Sequence, residues 1–282
     1  MISTLQKLAG IGSDIGHTSS SSINFNANLP VSIEVIKHMD AGRYRLKIGR
    51  KELTTKSSKN LSEGQKYWAN FSEGRGGILT ISNLYRQPTL FEDEAYFLPF
   101  SLDQFIDEES FSYSDFRDFL LKQLGDDRLS KESFKTYAYM LLALSKATIH
   151  LPLLHQGKKV MVQFQKQADE SLLFYIAYEH LGPLLGSISP TEFEIAAMYD
   201  KSLHYLQKES PKLGMITHLT LQKEIKPLFD LSAYDSAQII REGVDERLIS
   251  KHCILPIFKR GNLLYIATSN PTNMDAMDAI RF

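Results

Sequence analysis

The chain has 282 residues, 43% of them hydrophobic and 23% charged, with a formal net charge of −1. That length accommodates more than one domain, and the composition is that of an ordinary globular protein. The near-zero net charge excludes a global field that would gather nucleic acid or an anionic surface. Cys253 is the only cysteine. It excludes an intrachain disulfide and a cysteine-based zinc site, and it reads as a small core residue.

Residues 1–30 read as a flexible leader. Glycines at 10, 12 and 16 precede the run Ser19 to Ser22, and "GIGSDIG" has neither the preceding strand nor the following helix that a phosphate loop requires. The start lacks the basic-then-apolar order of a signal peptide, so cytoplasmic residence is expected.

From Val31 the period becomes two. "VSIEVIKH", "RYRLKIG", "KELTT", "KYWANF" and "GILTISNL" are separated by turn signals, which predicts a small antiparallel, barrel-like domain over residues 31–88. Trp68 and Phe71 are expected in its core. Arg43, Arg45, Lys47, Arg50 and Lys51 read as a solvated edge that discourages strand pairing.

Residues 89–210 are predicted to form a helical and then an α+β domain. "FEDEAYF" and "DQFIDEES" are acidic and aromatic and read as a surface loop and a helix start. Phe116, Phe119, Leu120 and Leu124 form a helical stripe, with Ser114 as the expected cap and Gly125 as the stop. A second stripe, Phe134, Tyr137, Leu141 and Leu144, follows a cap at Ser130, and the helical period is expected to run to about residue 149. "KKVMVQFQKQ" and "SLLFYIAYEHLG" predict a hairpin turning at Gln167 to Glu170, with "LLGSI" a third strand. "SPTE" has the spacing of a capping box, so a helix is expected to start at Ser189 and bury Ile195, Met198, Tyr199, Leu203 and Leu206. The break at Ser210 to Gly214 predicts a domain boundary, with a further partial domain over residues 211–282. The fold class is therefore α+β.

"PLFDLSAYD", "LISKHCILPIFKRGNLLYIATSNPTN" and "MDAIRF" resemble the N-terminal domain of type IV pilus assembly ATPases and their type II secretion relatives, over residues 226–282. Here Leu255 and Pro256 set a strand. Arg260, Gly261 and Asn262 make a tight turn, and Leu263 to Ala267 form an apolar strand. Asn270, Pro271 and Thr272 leave it to cap a last helix that buries Ala276, Met277 and Ile280. The family commonly has aspartate where Asn270 stands. The hairpin edge and apolar helix face are expected to seek cover, in a preceding domain or a second copy.

The resemblance implies partners among pilus, secretion or export proteins, including a link to an inner-membrane platform, with membrane contact only indirect and no nucleic acid. The residues contain no G-x-x-x-x-G-K-[ST] motif, so ATP hydrolysis is not expected of them. Relatives of this family bind cyclic di-GMP through Arg-Leu-Gly-rich repeats, of which only Lys212, Leu213 and Gly214 survive here, so no cofactor is expected. A looser resemblance links "GRYRLKIGRKELTTKSSKNLSEGQKY" and "FYIAYEHLGPLLGSIS" to flagellar hook-length control proteins. Two alternatives stay open: a cyclic di-GMP sensor, and a junction of unrelated parts whose first 210 residues act separately.

No H-x-x-x-H, nucleophile elbow or paired-carboxylate spacing appears. The eight histidines, 17, 38, 150, 155, 180, 204, 218 and 252, are scattered. Catalytic and metal residues are therefore expected to be absent, which points to a non-catalytic interaction protein.

Overall fold

A computed structural model describes residues 29–39, 42–57, 59–73, 79–92, 94–98, 112–126, 128–155, 157–213, 216–231, 251, 254–260, 263–268 and 278. Residues 1–28, "DQFIDEES", Cys253, the segment before it and the final helix thus lie outside the described residues.

The fold is mixed α+β, as the pattern predicts. The five period-two runs form β1 (Val31–Met39), β2 (Arg43–Ile48), β3 (Lys51–Lys56), β4 (Lys66–Glu73) and β5 (Leu79–Arg86), an antiparallel sheet in the order β3-β2-β1-β4-β5. The sheet stays open with β3 and β5 at its edges, where the sequence suggested a barrel. Alternation buries Ile33, Val35, Tyr44, Leu46, Ile48, Tyr67 and Ala69 together on one face. The other face carries Trp68, fully buried.

A second sheet holds six strands in the order β11-β10-β9-β8-β7-β6. These are β6 (Ile149–His155), β7 (Lys158–Lys166), β8 (Leu172–Tyr178), β9 (Gly182–Ile188), β10 (Glu192–Ala197) and β11 (Ile216–Leu221). Among the described residues four helices accompany it: α1 (Thr89–Glu92), α2 (Tyr113–Leu124), α3 (Lys131–Leu144) and α4 (Asp200–Glu209). Both faces of this sheet are covered. Val160, Val162, Phe174, Ile176, Leu184, Phe193 and Ile195 pack with Phe116, Leu120, Met140 and Leu206 of the helices. Met161, Tyr175 and Ala177 pack with Trp68, Leu90, Phe91, Tyr199, Ile225 and Phe229. Helix α3 serves both cores, with Tyr137 and Met140 in the first and Leu142 and Ala143 in the second.

Several expectations are corrected. Helix α2 is capped by Ser112, whose Oγ accepts from the Asp115 N–H at 3.2 Å while Asp115 returns the bond to the Ser112 amide. Ser114 lies inside the first turn, one residue beyond Tyr113. "SPTE" starts no helix. The Ser189 N–H donates to Glu192 O (2.9 Å) and the Glu192 N–H donates to Ser189 Oγ (3.0 Å), so the local bond forms but closes a two-residue hairpin. The Phe193, Ile195, Ala197 alternation then wins a strand, because each of these faces the helices across the sheet. The helix begins only at Asp200.

The helical period expected to run to about residue 149 ends sooner, with α3 at Leu144, and "IHLPLLH", to which no element was assigned, is strand β6. "FEDEAYF" is no solvated loop: Phe91 is 0% exposed and packs at 4.9 Å from the Trp68 ring and edge-on to Phe97. Lys159 Nζ donates to Phe91 O at 2.7 Å and lies 4.7 Å over the same ring, so a buried cation closes the end of α1.

After the break at Ser210 the chain passes through a 3-10 turn, Ser210–Leu213, into β11. Strand β11 pairs in parallel with β10, Ile195 beside Leu219, and α4 forms the crossover.

Candidate functional site

The residues that begin the pilus-like segment sit against the six-stranded sheet. Period two places Gln163 of β7 directly opposite His150 of β6, on the sheet face that also carries Met161 and Tyr175. Both are buried, at 0% and 1% exposure. The Gln163 Oε1 accepts from the Phe229 N–H at 3.0 Å, and its Nε2 donates to Phe229 O at 2.8 Å. One side-chain amide thus satisfies both backbone groups of one residue, as a neighbouring strand would.

The same Nε2 lies 3.2 Å from His150 Nδ1. Phe229 N–H needs an acceptor, which fixes the amide orientation. The Nε2 is then the donor, so His150 Nδ1 must accept and the ring is neutral. Burial alone drives the His150 pKa down to about 3. The Phe229 ring tilts against the imidazole at 6.0 Å between centroids.

Four residues earlier, Ile225 is fully buried and its carbonyl accepts from the Tyr85 hydroxyl at 2.7 Å. Ile225 and Phe229 are therefore two apolar anchors on a stretch with no helix or strand of its own. Tyr85 belongs to the five-stranded sheet and Gln163 to the six-stranded one, so the segment touches both. Two further bonds tie the five-stranded sheet to the start of α4: Tyr199 Oη donates to Asn83 O (3.1 Å) and Asn70 Nδ2 donates to Asp200 Oδ1 (3.1 Å).

The hairpin expected near the end of the chain is present. Strands β12 (Ile254–Arg260) and β13 (Leu263–Thr268) pair antiparallel, with Leu255 opposite Ala267, Pro256 opposite Ile266 and Arg260 opposite Leu263. A register shift between Pro256 and Phe258 is where a residue that cannot donate is tolerated. Gly261, Asn262, Asn270, Pro271 and Thr272 lie outside the described residues.

The other candidates stay apart. His38 is exposed and stacks on Tyr44 at 4.7 Å. Glu179 and His180 fall in the turn between β8 and β9 rather than on a strand, and Lys212 pairs with Glu209. His17 and His252 are outside the described residues. Among the described residues no three His, Cys, Asp or Glu side chains come together to hold a metal.

Nothing in the sequence pairs Gln163 with His150 or either with Phe229. Their one signal was polarity inside runs otherwise apolar, a glutamine within "VMVQF" and a histidine within "TIHLPLL".

Residues 226–282 match the MshEN domain family, so the match opens three residues before the clamped Phe229. Among curated proteins, the type IV pilus assembly ATPase PilB of Acinetobacter baylyi (strain ATCC 33305 / BD413 / ADP1) is 54% identical over 57 residues, which is 20% of this chain and 10% of the relative. PilB of Pseudomonas aeruginosa (strain PAO1) is 28% identical over 90 residues, 27% of this chain and 16% of the relative. The chain thus spans about a tenth to a sixth of the length of these relatives. No solved structure matches. Among the described residues no helix is long and apolar enough to cross a membrane.

Proposed function

We propose that these 282 residues act as a non-catalytic docking protein of a type IV pilus or type II secretion apparatus. The body of two sheets holds an MshEN segment and presents it to a partner in the assembly machinery. The observation that carries this reading is that the MshEN match opens within a segment buried in the body, through Ile225, Phe229 and the Gln163 amide. A segment merely appended to the body would not need a buried glutamine spent on its backbone.

In this reading the body transmits position and the MshEN segment supplies the recognised surface, with partners drawn from the assembly motor or its inner-membrane platform. The looser flagellar resemblance of residues 31–210 fits the same role, a module gripped by other polypeptides.

Crosslinking of the full chain in cells that build type IV pili tests the proposal. Capture of motor or platform proteins is expected, together with no phosphate release from ATP by the purified chain. Capture of no assembly component, or ATP turnover that follows the chain through purification, overturns it.

A further inference from the structure

The five-stranded sheet carries a charge arrangement that the docking role does not use. Between Lys37 and Lys56 the sequence holds seven lysines and arginines against two acidic residues, a local charge of +5 on a chain of net charge −1. The strand registers sort the exposed ones into rows. Lys47 of β2 lies between Glu34 of β1 and Glu52 of β3. In the next row Arg45 lies between Lys37 and Thr54, and in the third Arg43 lies between Met39 and Lys56.

The first row is complementary. The other two set cation directly opposite cation, at Lys37 and Arg45 and at Arg43 and Lys56. Directly opposed side chains stand about 5 Å apart, and like charges there destabilise a sheet. The first row shows that glutamates fit these positions, whereas the next two place no carboxylate opposite a cation.

Trp68 shares this face of the sheet, because Ser32 is paired with Trp68 and Glu34 with Lys66 on the neighbouring strand. At β4 and β5 Trp68 and Tyr85 pack on the body. At β1 to β3 the face is basic, and Lys37, Arg43, Arg45, Lys47 and Lys56 are all exposed.

A bulge between Val35 and Lys37 leaves Ile36 as the extra residue, 37% exposed beside these cations. Partly exposed Met39 closes the third row. The basic rows contain no aromatic side chain, so bases would have nothing to stack on. A sheet face that is open rather than grooved, with cations and protruding aliphatic groups intermingled, matches the headgroup layer of an anionic bilayer.

We propose that Lys37, Arg45, Arg43 and Lys56, with Ile36 and Met39, form a peripheral binding surface for anionic phospholipid membranes. The contact is direct, beyond the indirect one implied by the resemblance, and it stands independently of any pilus partner.

Sedimentation of the full chain with phosphatidylcholine vesicles, with and without about 30% phosphatidylglycerol, tests it at low and high salt. Binding to the anionic vesicles alone, weakened by salt, is expected. Arg45→Glu, which faces Lys37, is expected to lower binding about tenfold or more while the Tm holds or rises, and Arg45→Lys is expected to retain binding. If Arg45→Glu melts early, Lys37→Gln with Lys56→Gln decides by removing charge without reversing it. Absence of binding to anionic vesicles at low salt, equal binding to neutral ones, or unchanged binding by these charge variants overturns the proposal. Stronger retention by a polynucleotide than by the vesicles does the same.

Discussion

Gln163 holds Phe229 by both backbone groups at once, with its Oε1 3.0 Å from the Phe229 nitrogen and its Nε2 2.8 Å from the Phe229 oxygen. The contact spans 66 residues and is wholly buried. It ties the MshEN segment to the sheet more specifically than apolar packing could, because it reads the backbone register of the segment.

Gln163→Leu keeps the volume and strands two buried backbone groups. A loss of about 2–6 kcal/mol is expected in urea unfolding, at roughly 1–3 kcal/mol for each group. Phe229→Ala removes the ring instead and is expected to cost about 3–5 kcal/mol. Both variants should raise amide exchange across residues 225–231 first, and unchanged exchange there would refute the anchoring role.

His150 gives the clamp a pH dependence. Its folded pKa is held down to about 3, whereas an unfolded histidine titrates near 6.5. The stabilisation is fully present above about 6.5. As the pH falls from there toward about 3, the unfolded chain binds a proton that the folded chain refuses, and stability declines by up to about 1.4 kcal/mol per pH unit. Denaturation midpoints measured across that window, wild type against His150→Asn, should show the slope reduced in the variant. Parallel slopes would show that His150 titrates normally.

The start of α2 separates two serines that the sequence does not. Ser112→Ala removes the side-chain acceptor of the Asp115 amide and is expected to cost about 1 kcal/mol. Ser114→Ala lies within the first helical turn, and an effect within about 0.5 kcal/mol is expected. Thermal melts of the two variants check the assignment, and the reverse order would return the cap to Ser114.

Protease cleavage near Pro211 is expected to nick the chain without parting it. Strand β11 is bonded to β10 along six registered pairs, and Ile225 and Phe229 are buried in the body's core. The fragments should elute together in native buffer and separate in denaturant. Fragments that separate in native buffer would make residue 211 a true boundary between independent units.

Strand content was legible in the sequence wherever one face is buried. The five runs from Val31 to Arg86 alternate because one face packs around Ile33, Val35 and Leu46. Helix α3 was recognised with its cap at Ser130, since caps and stripes are local. The failures share a cause. "SPTE" makes the same serine-to-amide bond at a helix start and at this hairpin turn, so the local signal could not choose between them. Pairing with β9 and β11 chose.

The site was less legible than the fold. Residues 226–282 mark a shared module through their resemblance to a known family, and that was readable without coordinates. The clamp was not. Gln163 and Phe229 are 66 positions apart, and nothing in either neighbourhood specifies the other.

By itself the sequence determined the alternating strands from Val31 to Arg86, the stripes of α2 and α3 and the module resembled by residues 226–282, because side-chain periodicity and turn chemistry act within a few residues. Only the tertiary structure decided that β11 crosses back to β10, that Phe91 is core, and that a buried glutamine seizes the module's first residues. Those outcomes depend on which surfaces exclude water from one another, and that is settled between segments distant in the chain.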